Sequence, residues 1–327
     1  MKKALIVGIN HYGKGIEDLK GCIKDAEEVA SLLAINYCEN NQNGEANFTC
    51  SVLKSSVKSN EQPITRSLLK AKIKELFEDP EADVVLFYFS GHGFQNGLGG
   101  YLATQDVESF DEGVSFNDVI TLANNATSKE VIIILDCCYS GNMGSVPIQN
   151  NPISTLREGV SILTASTSNQ YSWGSSKGGC FTNLLCNGLR GGSADLLGNI
   201  DLVRLYRHTE RMLGAWDQRP TLKVNLKTSV LLRKVEPQLP LSILKKITLH
   251  FPTLKHKIQL DPEFEPDEGN GNTSKEDQFG DLQKMANIGL VKPVIRDSMY
   301  YAAINKYQCE LTPVGKQYWE MVTVKYN

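Results

Sequence analysis

The chain has 327 residues, of which 41% are hydrophobic and 22% are charged, and its 34 Lys and Arg residues against 37 Asp and Glu residues give a formal net charge of −3. This balance excludes a disordered or collagen-like chain, and the near-neutral charge argues against wrapping nucleic acid by charge alone. The longest apolar run, residues 84–89, is far too short to span a bilayer, so we expect no membrane protein. The length predicts about two domains.

The cysteines and the amino terminus indicate the compartment. None of the eight cysteines forms a C-x-x-C pair, and the one tight pair, Cys137 and Cys138, is adjacent, which suits neither a disulfide framework nor a zinc site. The apolar residues 4–8 are too few for the core of a signal peptide. We therefore expect a cytoplasmic protein with reduced thiols that needs no metal or cofactor.

Short apolar or β-branched runs alternate with helical patterns over residues 1–235. All-apolar strands that alternate with helices predict an α/β fold, with a mainly parallel sheet covered by helices on both faces. In chain order we predict a strand at 3–7, a helix at 22–33, an Asn-rich loop at 39–47, a strand at 48–53, a helix at 65–77, strands at 84–89, 131–135 and 160–165, helices at 181–189 and 202–213, and a strand at 222–225.

From Pro237 the pattern changes, and residues 236–327 predict a small α+β domain. Residues 261–281 carry eight acids against one Lys and predict an acidic loop or linker. Beyond it we predict a helix at 279–288, a hairpin of strands 300–304 and 308–311, and a helix at 313–322. This order, with the phrases MANIGLV at 285–291 and LTPVG at 311–315, resembles a winged-helix domain.

Two of the apolar strands are followed by residues that carry chemistry. Ser90-Gly91-His92-Gly93 follows one strand, and Asp136-Cys137-Cys138-Tyr139-Ser140-Gly141 follows another. Ligands bind at the carboxyl ends of strands in open parallel sheets, so His92 and Cys138 are expected to face each other. A thiolate, an imidazole and main-chain N–H groups, here those of Gly93 and Cys138, are what nucleophilic attack on a carbonyl requires.

The two motifs resemble the catalytic signatures of the caspase-like cysteine peptidases, nearest to the metacaspases and their bacterial relatives. The resemblance covers about residues 3–233 and includes VGINHY at 7–12 and LKGCIKDA at 19–26. It implies that Cys138 is the nucleophile and His92 the base, with Cys137 as a buried neighbour. His92 precedes Cys138 by 46 residues, which is close to the separation of about 50 already known for caspases. In bacteria such enzymes are associated with stress, defence or cell death.

The resemblance also implies a specificity pocket. In metacaspases the pocket for the side chain before the cut bond takes its acids from positions that correspond to Asp25 and Asp136 here, with Ser90 and Cys22 alongside. Two carboxylates in one pocket favour Arg or Lys and reject Asp. We therefore expect protein or peptide substrates that are cleaved after basic residues.

Two further expectations concern calcium and self-processing. The acids after the His92 motif, Asp106, Asp111, Glu112 and Asp118, are too widely spaced to offer a calcium ion its six or more oxygen ligands, so we expect calcium independence. In this family the segment after the nucleophile often holds a maturation site. Arg157 is the single basic residue of residues 142–158 and is our candidate for self-cleavage.

Parts of the sequence are also compatible with other functions. A catalytically inactive caspase-like scaffold or a winged-helix binding protein is the alternative, although both members of the dyad are present. Residues 236–327 hold 11 Lys and Arg against 12 Asp and Glu, so nucleic acid is an unfavoured partner and a regulatory protein a favoured one. Residues 8–15 match most of a phosphate-binding loop but lack the Ser or Thr after the Lys, so nucleotide binding is not expected.

Overall fold

The fold is taken from a computed structural model. It describes residues 1–13, 15–55, 62–96, 99–107, 113–137, 145–148, 151–165, 174–175, 178–213, 219–266, 273–295 and 298–326. The chain forms two units, one of Met1–Ala194 with Asn199–Glu236, and one of Asp195–Gly198 with Pro237–Asn327. The short segment Asp195–Gly198 joins the second unit because Leu196 and Leu197 pack against that unit's core and the Leu196 carbonyl accepts the N–H of Gln238 at 3.1 Å.

Strands and helices alternate through the first unit. They are β1 (Lys2–Gly8), α1 (Cys22–Ala34), β2 (Ile35–Cys38), β3 (Asn41–Ala46), β4 (Phe48–Lys54), α2 (Arg66–Phe77), β5 (Val84–Ser90), β6 (Gly93–Asn96), β7 (Gly99–Leu102), β8 (Val114–Ser115), α3 (Phe116–Asn124), β9 (Glu130–Asp136), β10 (Ser145–Ile148), β11 (Asn151–Ser154), β12 (Val160–Thr164), β13 (Gly174–Ser175), β14 (Gly178–Gly179), α4 (Cys180–Asn187), a π-helical turn (Gly188–Gly192), β15 (Asn199–Asp201), α5 (Leu202–Met212), β16 (Thr221–Asn225) and β17 (Leu231–Lys234).

Six of these strands form the central sheet, in the order β16-β12-β9-β5-β1-β4. Five of them run parallel, and the edge strand β16 pairs with β12 antiparallel. Every residue of β5 is buried, as expected for a strand covered on both faces. The predicted α/β class and mainly parallel sheet are confirmed.

Strand alternation divides the core into two layers. Alternate residues of β1, β5 and β9, among them Phe87 and Phe89, pack on the face covered by α2 and α3. The intervening residues, among them Tyr88 and Ile134, pack on the face covered by α1, α4 and α5. Because side chains of a strand point alternately to opposite faces, Ser90 and Asp136 fall on the second face, beneath α1 and α4.

The predicted loop at 39–47 is wrong over most of its length, since β2 and β3 form an antiparallel hairpin there. The hairpin is stabilised by polar contacts at its turn. Asn41 Nδ2 donates to the Gly44 carbonyl at 2.6 Å, the Asn43 N–H donates to Asn41 Oδ1 at 3.0 Å, and Gly44 adopts a φ of 73°, which glycine tolerates best. A strand without an apolar face leaves no periodicity in the sequence.

The second unit contains α6 (Leu241–Lys245), α7 (Ile247–His250), β18 (Lys257–Gln259), a 3-10 turn (Pro262–Phe264), α8 (Thr273–Asn287), β19 (Val291–Pro293), α9 (Met299–Ile304), β20 (Gln308–Leu311) and α10 (Pro313–Tyr326). Its three strands form an antiparallel sheet in the order β18-β20-β19. The unit has its own apolar core, which includes Phe251, Phe279 and Leu290.

Two predictions for this unit are wrong. Residues 299–304 form helix α9 instead of a hairpin strand, because the Ser298 hydroxyl caps the helix by accepting the Tyr301 N–H at 3.2 Å and Ala302 and Ala303 are buried. The acidic segment 261–281 is not a loop throughout, since α8 begins at Thr273 and Lys275 binds Asp261 at 2.7 Å. Across both units, the described residues contain no helix long and apolar enough to cross a membrane.

Candidate active site

The carboxyl ends of three neighbouring strands meet at one point of the sheet edge. The register aligns Gly8 at the end of β1 with Ser90 at the end of β5, and Ser90 with Asp136 at the end of β9. The Gly91 N–H donates to the Asp136 main-chain carbonyl at 3.3 Å, so the loop that carries His92 is fastened to the end of β9. The two motifs singled out in the sequence therefore leave the sheet side by side.

The start of α1 passes close above this edge. A Cβ added to Gly8 would lie 2.3 Å from the carbonyl oxygen of Cys22, so no larger residue fits under the helix at that point. The Ile23 N–H is fixed by Asn10 Oδ1 at 3.2 Å. Cys22 and Asp25, both in the first turn of α1, are thereby brought to the ends of β5 and β9.

The four residues expected to line the specificity pocket are buried together. Asp25 is 4% exposed and Asp136 is 8% exposed, and Ser90 and Cys22 are buried as well. Burial, together with the carboxylates of Asp136 and Asp25, raises the pKa of the Cys22 thiol to about 12, while a hydrogen bond with Ser90 acts in the opposite direction. Cys22 therefore stays protonated and is a poor nucleophile.

Two buried hydroxyl groups, those of Tyr88 and Thr182, form a chain of hydrogen bonds that ends at the Asp136 carboxylate. Thr182 Oγ1 donates to Asp136 Oδ2 at 2.6 Å, and the Tyr88 hydroxyl lies 2.7 Å from Thr182 Oγ1. Burial raises the pKa of Asp136, and the bonds from Thr182 lower it. Within the described part of the chain, no Lys or Arg pairs with Asp136. Sequence reasoning missed Thr182 and Tyr88, because neither belongs to a motif and both read as ordinary core residues.

The His92 imidazole has a defined tautomer. Its Nε2 lies 2.8 Å from the main-chain carbonyl oxygen of Glu17. A carbonyl oxygen can only accept, so Nε2 carries the proton and, in the neutral ring, Nδ1 is the basic nitrogen. Glu17 was not predicted, and no sequence pattern could have indicated it, because the group involved belongs to the main chain.

Tyr12 holds the main chain and ring of His92 in place. Its hydroxyl accepts the His92 N–H at 2.7 Å, and the two ring centroids are 4.8 Å apart. A Cβ on Gly91 would lie 2.4 Å from that hydroxyl, so the close approach requires a glycine. Burial, with smaller contributions from the Cys22 and Cys137 thiols, raises the pKa of Tyr12 well above its usual range. Tyr12 thus links His92 to Cys22, which in turn lies near Asp25 and Asp136.

The predicted nucleophile Cys138 lies outside the described residues, and its role stays a prediction. The neighbouring Cys137 is buried and packs with the core layer on the α2–α3 face. Gly93, a predicted oxyanion donor, follows His92 as the first residue of β6 and lies opposite Leu102 in the pairing of β6 with β7.

The Arg157 side chain is engaged in bonds within its own unit. Its guanidinium donates to five main-chain carbonyl oxygens at 2.7 to 3.5 Å, those of Ala123, Ala126, Ser128, Lys129 and Glu158. A side chain must leave such contacts before it can enter a specificity pocket. Self-cleavage after Arg157 would therefore require this segment to open first.

No metal centre is evident where the chain is described. Residues 1–13, 15–55, 62–96 and the other described ranges contain no group of three or more His, Cys, Asp or Glu side chains that could hold an ion. Of the acids considered for calcium, Asp118 binds Lys70 at 2.9 Å and Asp106 accepts the Thr104 hydroxyl at 2.6 Å. Calcium independence stays a prediction.

The mainly parallel sheet with helices on both faces defines a caspase-like α/β protein. The family profile of the caspase domain, peptidase family C14, matches residues 1–231. The chain belongs to this family.

Several metacaspases are similar to part of the chain. Metacaspase-1 of Plasmodium falciparum is 29% identical over 155 residues, 43% of this chain and 24% of that protein. Metacaspase-8 of Arabidopsis thaliana is 28% identical over 152 residues, 43% of this chain and 38% of that protein. The matched segment thus spans well under half the length of these relatives.

Two crystal structures share the fold. A protein from Geobacter sulfurreducens has a TM-score of 0.52 at 18% identity, covering 72% of this chain and 97% of that one. Caspase-1 from Spodoptera frugiperda has a TM-score of 0.51 at 14% identity, covering 71% of this chain and 90% of that one. The sheet with its flanking helices therefore matches the caspase fold.

Proposed function

We propose that the chain is a cysteine endopeptidase that cleaves protein substrates after Arg or Lys, with Cys138 as nucleophile and His92 as base. The observation that carries the proposal is the buried pair of carboxylates, Asp25 and Asp136, beside an imidazole whose tautomer is set by the Glu17 carbonyl. Membership of the caspase-domain family supports it.

The proposed reaction has two stages. His92 Nδ1 takes the proton of the Cys138 thiol, and the thiolate attacks the carbonyl carbon of the scissile bond. The main-chain N–H groups of Gly93 and Cys138 stabilise the oxyanion, and His92 returns the proton to the leaving amine, which leaves a thioester. A water molecule, deprotonated by His92, then hydrolyses the thioester, and Cys138 recovers its proton.

The charge of the pocket supports a basic residue before the cut bond. A buried carboxylate loses its hydration, and an entering guanidinium replaces that hydration with paired hydrogen bonds. Burial raises the pKa of Asp136, so the pocket in the free state already disfavours its own negative charge. A cation is therefore favoured there, and the carboxylate of an Asp substrate is repelled.

Fluorogenic peptides that end in Arg, Lys or Asp test the proposal with the full chain. We expect cleavage after Arg and Lys, none after Asp, and loss of cleavage in C138A. The matched variant C137A removes the adjacent thiol and should retain activity. Cleavage after Asp would overturn the pocket assignment, and activity lost in C137A but kept in C138A would reverse the choice of nucleophile. A wild type inactive on every peptide would favour the inactive scaffold.

We further propose that residues 236–327 form a winged-helix-like module that binds a regulatory protein. The three-stranded antiparallel sheet packed against helices supports this assignment. We propose that the enzyme acts in the cytoplasm without calcium, and that in a bacterial host it serves stress or defence.

A further inference from the structure

Thr182 lies 46 positions after Asp136 in the sequence but contacts its carboxylate directly. It is the third residue of α4 and is 1% exposed. The first N–H groups of a helix lack partners within the helix, and acceptors that satisfy them are usually side chains just before the helix. Here the Asp136 carboxylate, from strand β9, accepts both the hydroxyl and the main-chain N–H of Thr182.

The directions of the two hydrogen bonds follow from the number of protons. A threonine hydroxyl has a single proton, and Thr182 gives it to Asp136 Oδ2 at 2.6 Å. The Tyr88 hydroxyl, 2.7 Å from Thr182 Oγ1, must then be the donor of the second bond. Burial and the carboxylates of Asp136 and Asp25 raise the pKa of Tyr88, so its proton stays in place. The two hydrogen bonds, from Tyr88 to Thr182 and from Thr182 to Asp136, form a relay in which both protons point toward Asp136.

We propose that Thr182, supported by Tyr88, is a positioning residue for substrate specificity: it orients the Asp136 carboxylate and favours the ionised form that a basic side chain binds. The inference rests on the proposed function. Without the Thr182 hydroxyl, the buried carboxylate would lose a donor that favours its charged form and would gain less from staying charged. The substrate's cation would then have to supply the missing stabilisation itself.

The relay also fixes the direction of the carboxylate. Thr182 Oγ1 restrains Oδ2, and its main-chain N–H adds a second restraint from the rigid first turn of α4. An Arg guanidinium binds both carboxylate oxygens at once and therefore requires the carboxylate to lie in its own plane, whereas a Lys ammonium requires only a nearby negative charge. Loss of the relay should therefore weaken Arg substrates more than Lys substrates.

The test uses T182V, which keeps the shape but removes the hydroxyl, and T182S, which restores it. With an Arg peptide we expect KM to rise about tenfold in T182V, the size of one hydrogen bond to a charged group, with kcat within about twofold. KM should rise less for the Lys peptide and hardly at all for a citrulline peptide, which has the shape of Arg without the charge. T182S should return KM to the wild-type value.

Y88F removes only the outer bond and gives an independent measurement if T182V folds poorly. We expect it to raise KM for the Arg peptide about threefold, because its loss leaves the inner bond in place. Equal effects on Arg and citrulline peptides, or a fall in kcat that follows the melting temperature, would assign Thr182 a structural role only. A wild type that does not cleave after Arg would refute the proposed function, whereas an Arg-specific wild type with an unchanged T182V would refute the relay alone.

Discussion

Replacing Asp136 by Asn separates the charge of the proposed specificity pocket from its shape. The amide has nearly the shape of the carboxylate, and its oxygen can still accept the Thr182 hydroxyl that now donates at 2.6 Å. The variant D136N therefore removes one of the two buried negative charges and preserves the contact with α4. What is lost is the attraction between the pocket and a cationic substrate side chain.

Two magnitudes follow. Removing one partner of a buried, hydrogen-bonded charge pair costs about 2–5 kcal/mol, so kcat/KM for an Arg peptide should fall at least about thirtyfold. The free energy of unfolding, in contrast, should rise or stay the same. Burial raises the pKa of Asp136, so above that pKa the native state carries an anion that it disfavours relative to the unfolded chain. At pH 7 the free energy of unfolding of D136N should therefore equal or exceed that of the wild type.

The assay compares kcat/KM for Arg and citrulline peptides with the midpoint of denaturant unfolding. E75Q is the matched control, since it removes one negative charge from an exposed position on α2 where Glu75 pairs with Lys72 at 2.7 Å. We expect D136N to lose selectivity for Arg over citrulline and E75Q to retain it. Selectivity kept in D136N, or a loss of activity that merely accompanies unfolding, would refute the pocket.

Further predictions concern Tyr12, beside His92, and Arg157, at the opposite end of the sheet. Y12F removes the hydroxyl that accepts the His92 N–H at 2.7 Å. In steady-state kinetics kcat should fall about tenfold with KM little changed, because a half-buried donor is left unsatisfied and the His92 ring is less well held. A change in KM alone would contradict this prediction. R157M removes the guanidinium that binds five carbonyl oxygens and should lower the free energy of unfolding by about 2 kcal/mol. While those contacts persist, the intact mass of incubated wild type should show no fragment ending at Arg157, and such a fragment, absent in C138A, would show that the segment opens.

The sheet could be predicted from the sequence because its strands are buried on both faces. Val84–Ser90 and Glu130–Asp136 are long apolar runs with polar residues at their ends, a pattern that exposed strands do not produce. The strand ends predicted that the loops after Ser90 and Asp136 leave the sheet at one edge, and the resemblance predicted that both residues line the specificity pocket. Cys22 and Asp25 were predicted there from the resemblance of their motif, and the close passage of α1 over Gly8 is the physical reason that they reach it.

Other parts of the site could not be predicted because their contacts are distant in sequence. Glu17 acts through a main-chain carbonyl, for which the identity of the side chain gives no indication. Thr182 and Tyr88 are polar groups inside apolar segments, and only the tertiary packing of α4 on β5 and β9 reveals their partners. The error at α9 has a local cause: Tyr300, Tyr301 and Ile304 favour a strand, but the cap at Ser298 and the packing of Ala302 and Ala303 outweigh that preference.

A cluster of buried acids can have a structural or a functional origin, and the partners of the acids distinguish the two. In the second unit, Asp281 is buried, is paired with Lys246 at 2.8 Å and lies 3.2 Å from the His250 ring, so the chain supplies its own cation, Lys246, and the group is part of the fold. Asp136 is equally buried, yet among the described residues it receives hydroxyl and N–H donors and no cation. These donors orient the carboxylate and favour its charged form, whereas burial disfavours that form. Under the proposed function, a substrate with a basic side chain would supply the missing cation.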